Sequence, residues 1–132
     1  MRLARTGPAR ERRERRERFR RSRAAAVALR ETFPAVQQVR LELFFQGSSA
    51  TTPAPQCHTL HGPARAFFEF PCPYADCDGE FSLGPAVEAA LADPSHRATG
   101  EAECSGGRAA RDGGKQSCKL RLTYCVTVTY RP

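Results

Sequence analysis

At 132 residues with a formal charge of +7, the chain has room for one small domain with a modest core. No run of about 18 apolar residues occurs, and the first thirty positions lack the apolar stretch of about 7–15 residues that a secretory signal needs, so neither a membrane span nor export is expected. We expect a cytoplasmic protein, where a reducing environment makes metal binding a better use of six cysteines than disulfides.

The charge is concentrated at one end. Residues 1–30 hold twelve Arg against Glu11, Glu14 and Glu17, a sum of +9 that leaves −2 for the rest of the chain. This marks residues 1–33 as an arginine-rich arm and residues 34–132 as the folded domain, the arm being a tether or docking element. Residues 10–31 contain neither Gly nor Pro, and they place Glu11–Arg15, Glu14–Arg18 and Glu17–Arg21 in the favourable Glu-first i,i+4 order, which predicts a helix. Phe19, Ala26, Leu29 and Phe33 fall roughly on one side, so the C-terminal half is expected to dock, and Pro34 to end the helix.

From Val36 the period changes to two. Val39, Leu41, Leu43 and Phe45 alternate with Gln38, Arg40, Glu42 and Phe44, as a strand with one buried face requires. The small, Pro-bearing segment 47–55 reads as a flexible connection, and a second strand is expected near Ala64–Phe70. Phe68 and Phe70 would then pack in the core; the competing role for Phe67, Phe68 and Phe70 is as stacking platforms for bases. A short helix from Pro85 to Ala92 stops before Asp93-Pro94, a third strand is indicated over 98–104, and strict alternation from Cys118 to Tyr130 gives a fourth. The expected fold is a small α+β domain on an antiparallel sheet, in the order α-β-β-α-β-β.

The chemistry lies in the cysteines. Cys72 and Cys77 form a C-x4-C turn, stiffened by Pro73 and released by Gly79, at a spacing that lets two thiolates grip one tetrahedral zinc ion. Cys104 and Cys118 are far apart in sequence, but antiparallel pairing of 98–104 with 118–124 would set them opposite each other, with Cβ atoms about 4.5–5.5 Å apart. Period two separates Cys125 from this set, because it shares a face with Lys119, Arg121, Thr123, Thr127 and Thr129 while Cys118 shares one with Leu120, Leu122, Val126 and Val128. A structural Zn2+ held by Cys72, Cys77, Cys104 and Cys118 is therefore expected.

With its CPYADCDG turn and two strand-borne cysteine pairs, the segment 72–118 resembles a zinc ribbon. That resemblance implies a structural or interaction module, often in nucleic-acid or translation machinery. Cys57, His58 and His61 offer further donors, although no partner pair completes a second tetrahedral set, and a polar loop leading into a strand is the competing reading. Asp76, Asp78 and Glu80 beside the first cysteine pair read as solvated turn residues.

Two classes of partner fit the basic elements. RNA or a ribonucleoprotein would be bound through Arg12, Arg13, Arg16 and Arg20 of the arm together with Arg108, Arg111 and Lys115 of the Gly-rich loop. The alternative is a protein-binding accessory or regulatory subunit, which the Glu residues interleaved in the arm favour because each repels phosphate. No enzymatic activity is expected: four thiolates close a zinc shell, and no metalloprotease, deaminase, P-loop or nucleophile-elbow motif is present.

Overall fold

The computed structural model describes residues 2–47, 52–110 and 112–132, with the backbone alone for residues 2–9, 11 and 12. Its centre is a four-stranded antiparallel sheet in the order β2-β1-β8-β5, built from β1 (Val36–Gln46), β2 (Gln56–His61), β5 (Arg97–Glu103) and β8 (Arg121–Tyr130). Helices α1 (Arg2–Ala25), α2 (Leu29–Thr32) and α3 (Gly84–Ala92) complete the α+β class, with two short hairpins, β3 (Glu69–Pro71) with β4 (Glu80–Ser82) and β6 (Gly107–Ala109) with β7 (Lys115–Ser117).

The sheet obeys the alternation of its sequence. Val39, Leu41, Leu43, Leu122, Val126 and Val128 are buried, while the intervening Arg40, Phe44, Arg121 and Thr123 face outward and Phe44 is left 49% exposed. Burying one row and wetting the other is how an antiparallel sheet with one covered face is stabilised. The covering layer comes from α3, through Ala86, Val87 and Ala90, from the β3–β4 hairpin through Phe70 and Phe81, and from Leu29 of α2. Among the described residues no helix is long and apolar enough to cross a membrane.

Three expectations are corrected. The helix expected over 10–31 breaks after Ala25: residues 26–28 turn extended and pair with the chain at Arg65, as Leu29 N–H donates to Ala64 O at 2.7 Å and Ala66 N–H to Val27 O at 2.8 Å. Backbone pairing and the complete burial of Leu29 override the helix preference of this Ala-rich stretch. The second strand is Gln56–His61 rather than 64–70, because pairing next to β1 falls on the nearer segment; of the expected strand, Arg65 makes the single bridge to Ala28, and Glu69 and Phe70 fall in β3, one strand of a separate hairpin. The thirteen-residue spacer between Cys104 and Cys118 is itself a hairpin, β6–β7, in which Gly113 at φ +89° makes the turn.

Candidate metal centre

Three of the four cysteines sit immediately after a strand. Cys72 follows β3, Cys104 follows β5, Cys118 follows β7, and Cys77 lies in the turn that leads into β4. Their sulfurs lie within 4.8 Å of one another, with Cys77 Sγ 3.6 Å from Cys104 Sγ and Cys72 Sγ 3.8 Å from Cys118 Sγ. Metal–sulfur bonds of about 2.3 Å in a tetrahedron imply sulfur separations near 3.8 Å, so the four cysteines are positioned to bind one metal ion.

The register by which Cys104 and Cys118 meet differs from the expected one. Glu103 pairs with Arg121, and Cys104 N–H donates to Leu120 O at 2.8 Å, so Cys104 stands opposite Leu120 rather than Cys118. Cys118 reaches the site by a bend at Lys119, whose φ of +54° interrupts the strand, and is held by its own N–H donating to Gly106 O. The two-residue slip preserves the buried face because side chains alternate with period two.

Two glycines complete the centre, and the sequence reading found only one of them. Gly79 N–H points at Cys77 Sγ (3.3 Å) and Gly106 N–H at Cys104 Sγ (3.4 Å), each two residues beyond its cysteine. Such donors favour the thiolate form that a metal requires. The two turns also abut: a Cβ on Gly79 would overlap Cys104 Sγ, and a Cβ on Gly106 would overlap the Gly79 backbone. The repeated Cys-x-Gly, in Cys77-Asp78-Gly79 and Cys104-Ser105-Gly106, was the signal for Gly106.

Without a metal, burial is the main influence raising the thiol pKa values of Cys72 and Cys77, so the protons of these thiols must be displaced when an ion enters. Asp78 and Asp76, expected as solvated turn residues, instead tie the turn to the β6–β7 hairpin. Asp78 accepts from Gly107 N–H at 2.6 Å and from Lys115 Nζ at 2.7 Å, which holds its carboxyl below the usual range, led by the Lys115 contact. Arg108 Nε donates to Asp76 at 3.0 Å while its guanidinium lies 3.7 Å from the centre of the Tyr74 ring.

The remaining predicted residues are dispersed. Arg13, Arg16 and Arg20 are exposed on α1, Arg108 and Lys115 are committed to the carboxylates just named, the side chain of Arg12 is undescribed, and Arg111 lies outside the described residues. Cys57 and His61 face outward from β2, whereas His58 faces inward with its ring 4.7 Å from that of Phe70, so the three cannot converge on one ion. Cys57 and Cys125 both pair with Glu42, on opposite sides of β1, which places them two strands apart; Cys125 Sγ accepts from Arg97 at 3.2 Å. Among the described residues, the four cysteines form the sole group of three or more metal-binding side chains with converging donor atoms. Comparison with protein families, with curated proteins and with solved structures found no match to this chain.

Proposed function

We propose that this chain is a structural-zinc interaction module of a reducing compartment that binds RNA or a ribonucleoprotein through its basic arm. Zinc is the ion that this donor set favours, since four thiolates in a closed tetrahedron are its usual structural shell. Cys72, Cys77, Cys104 and Cys118 would hold it, and its contribution is to tie four loop ends together. We assign no reaction to the centre, as a saturated sulfur shell leaves no position for water or substrate.

The observation that carries the RNA reading is the seating of α1. Phe19 packs edge-on against Phe67 at 6.2 Å, Arg23 lies 5.5 Å from the same ring, and Arg15 reaches Cys77 O at 3.5 Å. These contacts hold the helix against the domain while Arg13, Arg16, Arg18, Arg20 and Arg21 stay in solvent. Arginines carried on a seated helix bind phosphate at a lower entropic cost than the same residues on a loose tail. The arm, rather than the paired Arg108 and Lys115, carries the proposal.

The test is a titration of zinc-loaded protein with single-stranded RNA over a range of salt. Binding through the arm should weaken with a log–log slope of about −0.7 per phosphate contacted, and a Arg13→Gln/Arg16→Gln/Arg20→Gln variant should lose most of the affinity. Absence of binding at low salt would discard the reading and favour a protein partner.

A further inference from the structure

Two clefts flank α1 where it crosses the cysteine-bearing turn, and they differ in charge. One, of about 590 Å³, sets Arg15 and Arg18 against Glu69, Asp78 and Glu80, so its arginines are matched by carboxylates. The other, of about 330 Å³, is lined by Arg15, Arg16, Arg20 and Arg23 on the helix side and by Pro71, Tyr74 and Ala75 on the domain side, together with Phe19, Cys72 and Cys77. It contains no Asp or Glu.

Helical geometry explains the asymmetry. At 100° per residue, Arg16, Arg20 and Arg23 fall within an arc of roughly 60°, and neither Glu14 nor Glu17 falls inside it. The interleaved Glu residues therefore neutralise the outer face of the arm and leave this flank cationic. Zinc in a four-thiolate shell carries a net charge of about −2, which four guanidinium groups outweigh.

We propose that this second cleft is a phosphate site for single-stranded RNA, with Arg16, Arg20 and Arg23 as the phosphate-binding groups and Pro71, Tyr74 and Ala75 as the wall against which the nucleotide lies. The inference rests on the RNA-binding reading and sharpens it. Guanidinium groups present paired N–H donors that match phosphate oxygens, and a cleft walled by protein on two sides screens that attraction less than open solvent does. At about 330 Å³ the cleft has the capacity for a phosphate with one nucleotide and not for a duplex, so a single strand is the form that fits.

The deciding experiment measures binding of a fluorescent octauridylate to the full-length, zinc-loaded protein and to two variants of equal charge. Arg16→Gln/Arg20→Gln removes two cleft guanidinium groups, and Arg18→Gln/Arg21→Gln removes two from outside it. A loss of about tenfold or more in the first, against about threefold or less in the second, is expected. Ala75→Glu should repeat the larger loss from the opposite wall without altering the helix, with zinc content checked in every variant. Equal losses in the two arginine pairs, or an Ala75→Glu variant that binds normally, would overturn the cleft while leaving the arm as the RNA-binding element. Failure of the unmodified protein to bind would overturn the RNA reading itself, and uridine monophosphate binding as tightly as the octamer would replace the RNA strand with a free nucleotide.

Discussion

Strands β1 and β8 pair over ten register positions, whereas β3–β4 and β6–β7 pair over three each. The long pair carries a continuous row of buried Leu and Val, but the short hairpins could not stand alone, since two-stranded ribbons are marginal even at greater length. What joins those hairpins to each other is four sulfurs, two abutting glycines, the carboxylates of Asp76 and Asp78, the Asp78 N–H donating to Gly107 O, and the Arg108 guanidinium on the Tyr74 ring. One end of the molecule is thus held by apolar burial spread over many side chains, and the other, beyond the packing of Phe70 and Phe81 on the sheet, by a few groups whose loss is not shared out. The two ends should fail separately.

The largest effect should follow from removing the metal. A strong chelator, or Cys104→Ser, is expected to abolish stoichiometric zinc and to expose the amides of residues 72–79 and 104–118 to hydrogen exchange, while those of β1 and β8 stay the most protected in the chain. Structural zinc sites supply about 10–16 kcal/mol of apparent binding energy in small peptides, a scale that three-residue hairpins cannot replace. Unchanged exchange at the cysteine end would mean that the metal is incidental to it.

The converse perturbation is Leu41→Ala, at a fully buried position in the middle of β1. A cavity there should cost about 2–5 kcal/mol in denaturant unfolding yet leave one zinc per folded chain. If Leu41→Ala removed zinc as effectively as a cysteine substitution, the two ends would be one cooperative unit and the contrast between them would fail.

The same division governs how much of the molecule was legible in its sequence. The strands β1, β5 and β8 and the helix α3 were readable because alternation, a proline at a helix start and a long apolar row are local signals. The convergence of Cys72 and Cys77 was readable from their spacing, and the meeting of Cys104 and Cys118 survived an error of two residues in register, which preserves a period of two. The break at residues 26–28 was not readable because it is fixed by pairing with distant Arg65, and the β6–β7 hairpin was not because Gly107-Arg108-Ala109 and Lys115-Gln116-Ser117 bury no apolar row that would mark a strand; nothing in the sequence signals the bend at Lys119. Likewise, nothing local in Asp78 foretold its contact with Gly107 and Lys115.

A smaller effect should come from the glycines that let the two turns meet. Gly79→Ala, which leaves all four sulfurs in place, should weaken zinc binding by about 1–3 kcal/mol in competition with a chelator, since the new methyl group must displace Cys104 Sγ. Gly84→Ala is the matched control: no atom lies within 4 Å of its added Cβ, so metal affinity should not move. Equal behaviour of the two variants would show that the turns have room to separate.

The smallest effect probes the junction between the arm and the sheet. His58 faces inward from β2 against Phe70, its Nε2 lies 2.9 Å from Gln56 Oε1, and its pKa is lowered first by burial and then by the charge of Arg23. A histidine whose folded pKa lies below its unfolded value of about 6.5 favours folding above that pH, and the contribution is lost as pH falls through the folded pKa. In an NMR titration of the zinc-loaded protein, His58 should therefore protonate below pH 6.5, and Arg23→Gln should raise its midpoint part of the way back. The shift should be partial because burial, the larger cause, remains when the guanidinium is gone. A midpoint that ignores Arg23→Gln would mean that this end of α1 does not rest on the domain in solution, and the seated arm on which the RNA reading depends would have to be reconsidered as a free one.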